Sequence, residues 1–270
     1  MPATFSGYEP MLLAIDVGNT NTVFAVIREG REILHRWRIS TQTHRTADEY
    51  MVWLNQLFAI EGYDRQAVTG AIISTVVPPT LFNLQLLCRR YFGLEAVVVS
   101  KDLDLGIAIE YPNPQEVGAD RLVNAVAAHA ELGNQHLIVI DFGTATTFDV
   151  VSDTGAYRGG IIAPGINLSV EALVMASAKL PKIAVQPPET GRVVGQSTVE
   201  AMQSGIFWGY VGLIEGLVGR IKKETGHPMR VIATGGLGVL FERHTDVIEA
   251  VDVDLTVKGL SLIYQRNCRT

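Results

Sequence analysis

At 270 residues the chain is long enough for one large domain or two small ones, each with a core of its own. A net charge of -6 and the lack of any Lys or Arg run exclude non-specific nucleic-acid binding and adhesion to an anionic membrane. An anionic ligand would therefore be held by local donors. Two distant cysteines, Cys88 and Cys268, sit at no metal-ligand spacing and imply no disulfide framework, which suits a cytoplasmic protein.

Met1–Pro10 has neither a basic start nor an apolar stretch, and it reads as a disordered leader rather than a signal peptide. The apolar run from Leu12 then enters Asp16-Val17-Gly18-Asn19-Thr20-Asn21-Thr22-Val23, a strand stopped by a tight turn. Glycine removes a Cβ that would block a close ligand. The Asn and Thr residues after it offer backbone N–H groups and short polar side chains, a nest suited to phosphate oxygens. A carboxylate at its mouth suits hydrated Mg²⁺ or another cation rather than phosphate itself. Strands are expected over Val23–Arg28 and Glu32–Ile39, joined by a Glu29-Gly30 turn. Next come a helix over Thr46–Ile60, a strand over Ala67–Val77 stopped at Pro78-Pro79, a helix over Thr80–Phe92 and a strand over Ala96–Val99. Arg36, Arg38 and His44 read as a solvated sheet face.

Tyr111-Pro112-Asn113-Pro114 is a stiff, extended linker that leads through Gln115–Arg121 into an apolar helix, Leu122–Leu132. Asp120 thus lies near a helix start. Taken alone it reads as a capping carboxylate of low pKa, but Gly118-Ala119 beside it leave room for a ligand.

The second half repeats the first. Leu137–Ile140 enter Asp141-Phe142-Gly143-Thr144-Ala145-Thr146-Thr147, in which Asp141, Gly143 and Thr147 match Asp16, Gly18 and Thr22 at one constant offset. One such turn alone would read as a plain hairpin; two in register point to a pair of phosphate-gripping turns. Strands over Thr147–Val151 and Ala156–Ala163, a helix over Leu168–Ala176, a Pro-rich loop over Val185–Gly195 and a strand over Met229–Ala233 follow. Ser197-Thr198 caps a long helix, with Glu200 as the return arm. That helix carries Gly205, Gly209, Gly212, Gly216 and Gly219 on one face. Each costs roughly 1 kcal/mol relative to Ala, so a close neighbour is expected, either the chain's own core or a second subunit.

These turns, with Thr234-Gly235-Gly236 after a late strand, resemble the acetate and sugar kinase, heat-shock chaperone and actin superfamily. Asp16–Thr22, Glu116-Val-Gly-Ala-Asp-Arg121 and Asp141–Thr144 together resemble type III pantothenate kinase from Met11 to the C-terminus. The resemblance implies an α/β chain of two duplicated ribonuclease-H-like domains, 11–117 and 118–270, with a nucleotide cleft between them. It implies ATP, Mg²⁺ and a monovalent cation (K⁺ or NH₄⁺) as cofactors, pantothenate as substrate, and a cytoplasmic homodimer with its substrate pocket near the subunit interface. By the same resemblance Asp16–Val23 and Thr144 serve ATP, and Asp16 organises Mg²⁺. Asp141 holds the monovalent cation. Tyr111, Gly118, Ala119, Asp120, Arg121 and Thr198 serve pantothenate, with Asp120 as the base. A nucleotide-binding regulator or a sugar kinase of the superfamily would share the turns; intact Asp16 and Asp120 argue against the first, and Glu116–Arg121 against the second.

Overall fold

A computed structural model describes residues 9–28, 32–177 and 179–268. The expected leader, apart from Glu9 and Pro10, and the Glu29-Gly30 turn lie outside the described residues. Contacts divide the chain into two units, one comprising residues 1–107, 112–127 and 255–270, the other residues 108–111 and 128–254.

In the first unit the apolar run becomes β1 (Met11–Val17), which pairs antiparallel with β2 (Asn21–Arg28). β3 (Ile33–Ser40) continues the antiparallel edge. Its alternation buries Trp37 and leaves Arg36 and Arg38 exposed, so those arginines are a sheet face. The chain then crosses over through α1 (Ala47–Glu61) to β4 (Val68–Thr75), which lies parallel to β1. Thr46 and Glu49 close a reciprocal capping box on α1, and Gly62 ends it in the left-handed region at φ 74°. The expected helix over Thr80–Phe92 is broken: α2 (Leu81–Leu87) widens into a π-turn over Cys88–Phe92, closed by Gly93 at φ 68°. β5 (Val97–Val98) completes a sheet of order β3-β2-β1-β4-β5.

A 3₁₀ turn over Pro114–Glu116 precedes α3 (Ala119–Leu132). The second sheet runs through β6 (Leu137–Phe142), β7 (Ala145–Val151) and β8 (Tyr157–Pro164), all antiparallel neighbours. Helices α4 (Ile166–Ala176) and α5 (Thr198–Thr225) lead to β9 (Arg230–Gly235), parallel to β6. Short α6 (Gly238–Glu242) and β10 (Ala250–Val251) follow. The sheet order, β10-β9-β6-β7-β8, repeats that of the first unit strand for strand. Each sheet therefore has three antiparallel strands and two parallel crossover strands, the order expected from the duplication.

The division of the chain differs from a cut at residue 117. The last helix, α7 (Leu255–Cys268), returns to the first unit and packs on β1 and β4. It also meets α3: Thr256 Oγ1 donates to Asn124 Oδ1 at 2.7 Å. A Cβ on Gly259 would stand 2.2 Å from the Val123 carbonyl oxygen. The start of α3 therefore belongs with the first sheet, because the C-terminal helix seats it there.

The glycine stripe on α5 is not packed on the chain's own core. A Cβ on Gly205, Gly209, Gly212 or Gly219 would meet nothing described within 4 Å, and one on Gly216 would meet only Arg220. The opposite face, including Phe207, Tyr210, Ile214 and Val218, is the one buried in the second core.

Candidate active site

The two turns share a frame. Asp16 and Asp141 stand half-buried near the ends of the central strands, paired with Val23 and Thr147. Gly18 donates its N–H to Asn21 O at 3.0 Å, and Gly143 donates to Ala145 O at 3.1 Å. Their lengths differ, however. Three residues, Gly18, Asn19 and Thr20, link β1 to β2, whereas only Gly143 and Thr144 link β6 to β7. Thr22 pairs with Val17, and the residue pairing with Phe142 is Thr146. The structural counterpart of Thr22 is therefore Thr146, and the constant offset that aligned it with Thr147 is corrected by one residue.

Each turn is braced from beneath by a hydroxyl the sequence did not single out. Thr41, after β3, donates from Oγ1 to Gly18 O at 2.7 Å and therefore accepts from Thr22 Oγ1 at 2.9 Å. Its N–H donates to Thr20 O at 2.9 Å. In the second turn Gly165 N–H donates to Thr144 O at 3.1 Å. The hydroxyl of buried Tyr210, from α5, bonds Thr146 Oγ1 and donates to Pro164 O at 3.1 Å. No local sequence signal marks Thr41 or Tyr210, since each acts on a turn far along the chain.

Asn19, Thr20, Gly143 and Thr144 are exposed, so both turns reach the surface. Among the described residues no group of three or more metal-ligating side chains occurs. A single carboxylate, such as Asp16 beside its exposed turn, nonetheless fits Mg²⁺, which keeps its waters and takes most other ligands from nucleotide phosphates. Asp141, two residues before the exposed Gly143-Thr144 turn, offers a hard carboxylate oxygen of the kind a monovalent cation takes. At the third expected motif, Gly235 adopts φ 87°, and a Cβ there would stand 2.7 Å from the Phe142 carbonyl oxygen. Only glycine fits that approach of β9 to the end of β6.

Asp120 lies in the first turn of α3. Its Oδ1 accepts from Arg121 N–H at 2.8 Å. A Cβ on Gly118 would stand 2.5 Å from that same oxygen, so glycine there makes the room for the carboxylate. Burial pushes the Asp120 carboxyl above the ordinary carboxylate range; the Arg121 N–H and the Arg121 charge pull the other way and are outweighed. The expectation of a low pKa at a helix start is overturned, because the group is desolvated rather than merely capped.

Tyr111 and Thr198 fall in the second unit, whereas Gly118–Arg121 fall in the first. The cap of α5 is Ser197, whose Oγ accepts from Glu200 N–H at 3.2 Å, while Glu200 accepts from Gln196 N–H at 2.8 Å. Thr198 is thereby relieved of the capping role. It lines an open groove of about 530 Å³ with Leu173, Met202, Gly205 and Ile206.

A family model described as type III pantothenate kinase matches residues 12–220. The chain belongs to the type III pantothenate kinase family. It is 60% identical over 258 residues to the type III pantothenate kinase of Paramagnetospirillum magneticum, covering 95% of this chain and 98% of that one. It is 57% identical over 261 residues to that of Zymomonas mobilis, covering 96% and 94%. Among solved structures, a Sinorhizobium meliloti protein assigned as a 2-dehydro-3-deoxygalactonokinase superposes with a TM-score of 0.62 at 15% identity, covering 96% of this chain and 97% of that one. That likeness shows the sugar-kinase and actin-like fold. The matched span of the family includes both turns and Gly118–Arg121, and it ends before α7.

Proposed function

We propose that this chain transfers the γ-phosphoryl group of ATP to the hydroxyl of pantothenate, giving 4'-phosphopantothenate and ADP, the first step towards coenzyme A. Membership of the family supports the reaction, and the observation that carries the mechanism is the desolvated Asp120 carboxylate at the start of α3. The pantothenate hydroxyl oxygen forms the new P–O bond as the bond to the bridging oxygen of ADP breaks, and Asp120 takes the hydroxyl proton. Phosphoryl transfer has a loose transition state, so the base acts late and mainly by orienting the nucleophile. A carboxylate with a raised pKa is better matched to that proton than a solvated one.

Asp16–Val23 and Thr144 are assigned to ATP, and Tyr111, Gly118–Arg121 and Thr198 to pantothenate, with Arg121 suited to a bidentate grip on the substrate carboxylate. Bound Mg²⁺ beside Asp16 and a monovalent cation beside Asp141 would supply charge neutralisation at the phosphates. The open glycine stripe, with exposed Leu173, Met175, Val193, Val194 and Val199 in the same unit, supports a homodimer. Two free thiols, Cys88 buried and Cys268 exposed, are in keeping with a cytoplasmic setting, and no described helix is long and apolar enough to cross a membrane.

The test is ATP turnover with pantothenate in K⁺ and then in Na⁺ buffer. The proposal expects turnover with pantothenate that is faster in K⁺. Turnover with a sugar and none with pantothenate would overturn it.

A further inference from the structure

Residues 108–111 lead into the stiff Tyr111–Pro114 segment. They form an added edge on β8, where Ile109 bridges Tyr157 in parallel. Glu110 N–H donates to Tyr157 O, and Tyr157 N–H donates to Ala108 O, both at 2.8 Å. At this place β8 carries a bulge: Val150 pairs with Gly159 and Val151 with Tyr157, so Arg158 is the extra residue. Gly159 adopts φ 110°, a conformation that side-chain-bearing residues rarely take.

Tyr111 lies directly on that bulge. A Cβ on Gly159 would stand 3.2 Å from Tyr111 Cε2 and 3.3 Å from Cδ2, closer than ordinary van der Waals contact. Tyr157 meets the Tyr111 ring edge-on, with centroids 6.4 Å apart and planes at 66°. Tyr157 is itself locked. Its ring is fully buried, and its hydroxyl donates to Asp149 Oδ1 at 2.8 Å. Asp149, also buried, accepts from Thr147 Oγ1 through its other oxygen at 3.1 Å. A carboxylate removed from water is costly unless its oxygens are bonded, and here the bonds fix the tyrosine that walls Tyr111.

We infer that Gly159 and the Asp149–Tyr157 pair are positioning residues for pantothenate, seating the Tyr111 ring before the substrate arrives. This rests on the assignment of Tyr111 to pantothenate. A ring held by a backbone floor and a locked wall loses little freedom on binding, so the seat improves affinity without touching the substrate. Tyr111 is half-buried, so one side of it stays open to a ligand.

The test is a mutant cycle on the full-length enzyme, reading KM for pantothenate, KM for ATP, kcat and melting temperature. Misplacing a group by about 1 Å costs up to about 10²-fold, so a shift of a few tenths of an ångström in Gly159→Ala should raise pantothenate KM about fivefold. The KM for ATP should not move. In a Tyr111→Ala background the same change should add nothing, because the ring it displaces is gone. Tyr157→Phe, which keeps the wall but frees it from Asp149, should show a smaller rise with the same dependence on Tyr111, and it serves if Gly159→Ala does not fold. A rise in pantothenate KM that persists undiminished in the Tyr111→Ala background, or a fall in melting temperature alone, would overturn the inference. If Tyr111→Ala raises pantothenate KM while neither seat variant does, the seat fails and the assignment of Tyr111 stands. If Tyr111→Ala leaves that KM unchanged, the assignment fails and the inference falls with it.

Discussion

In the first Asp-Gly turn the brace is Thr41, one residue beyond β3 of the same antiparallel sheet edge, and its hydroxyl holds both Gly18 and Thr22. In the second turn the hydroxyl comes from Tyr210 on α5, the helix that bears Thr198 at its N-terminal end. The first turn is one residue longer. Duplication has therefore preserved the frame, an Asp on the central strand, a Gly at its exit and a Thr beneath, while the support was rebuilt. The second turn, with fewer residues of its own, is tied to the helix that begins at Thr198.

The largest expected difference is between the two carboxylates. Asp16→Asn should weaken Mg-ATP engagement and cut turnover by about 10²-fold or more, the usual loss when a preorganised electrostatic contact is removed. Asp141→Asn should instead flatten the response to K⁺ while leaving Mg-ATP titrations close to wild type. Titrating both variants with ATP, Mg²⁺ and K⁺ separates the roles, and identical profiles would mean that the turns are not differentiated.

A smaller effect should come from the glycine behind the second turn. A Cβ on Gly165 would lie 2.3 Å from Thr144 O and 2.7 Å from Gly143 O, whereas one on Gly18 would meet only Asn21 O at 3.3 Å. Gly165→Ala should cost about 1–3 kcal/mol by overpacking and raise the KM for ATP. Gly18→Ala should be milder on both counts. Melting temperatures and ATP kinetics in the reverse order would show that the second turn is the looser one.

The hydroxyl braces should matter least. Thr41→Val and Tyr210→Phe each remove the two hydrogen bonds of one hydroxyl, worth about 1 kcal/mol apiece. Thr41→Val should shift the KM for ATP alone. Tyr210→Phe should shift the KM for ATP and the K⁺ response together, because Thr146 pairs with Phe142, the neighbour of Asp141. Equal effects of both variants on the K⁺ response would remove the distinction between the turns.

Much of this was legible in the sequence because it is local. Apolar runs ended by Gly gave β1 and β6, and apolar residues at helical spacing (Tyr50, Trp53, Leu54, Leu57 and Phe58) gave α1. The Asp-Gly turns signalled the duplication. What depended on distant contacts was not legible. The sequence near Leu255 has no signal that α7 returns to seat α3, which is why a division at residue 117 differs from the observed units. The one-residue slip from Thr146 to Thr147 arose because the second turn is one residue shorter, which a constant offset along the chain misses and strand pairing reveals. Asp120 was found by its motif, but its raised pKa depends on burial that no neighbour in sequence reveals.

The kcat of Asp120→Asn, measured beside its melting temperature, tests the role of that carboxylate most directly. Because folding raises the Asp120 pKa, the folded chain binds this proton more readily than the unfolded one. The group therefore contributes stability at acid pH and loses it as pH rises from the ordinary carboxylate value through the raised one; at neutral pH the buried charge is a cost. Asn keeps the shape without the charge, so the variant should melt at or above the wild-type temperature at neutral pH. Its kcat should fall about 10²–10⁴-fold, the usual contribution of a general base, with Mg-ATP binding retained. Near-normal turnover in the folded variant would contradict the account and return Asp120 to a purely structural place at the start of α3.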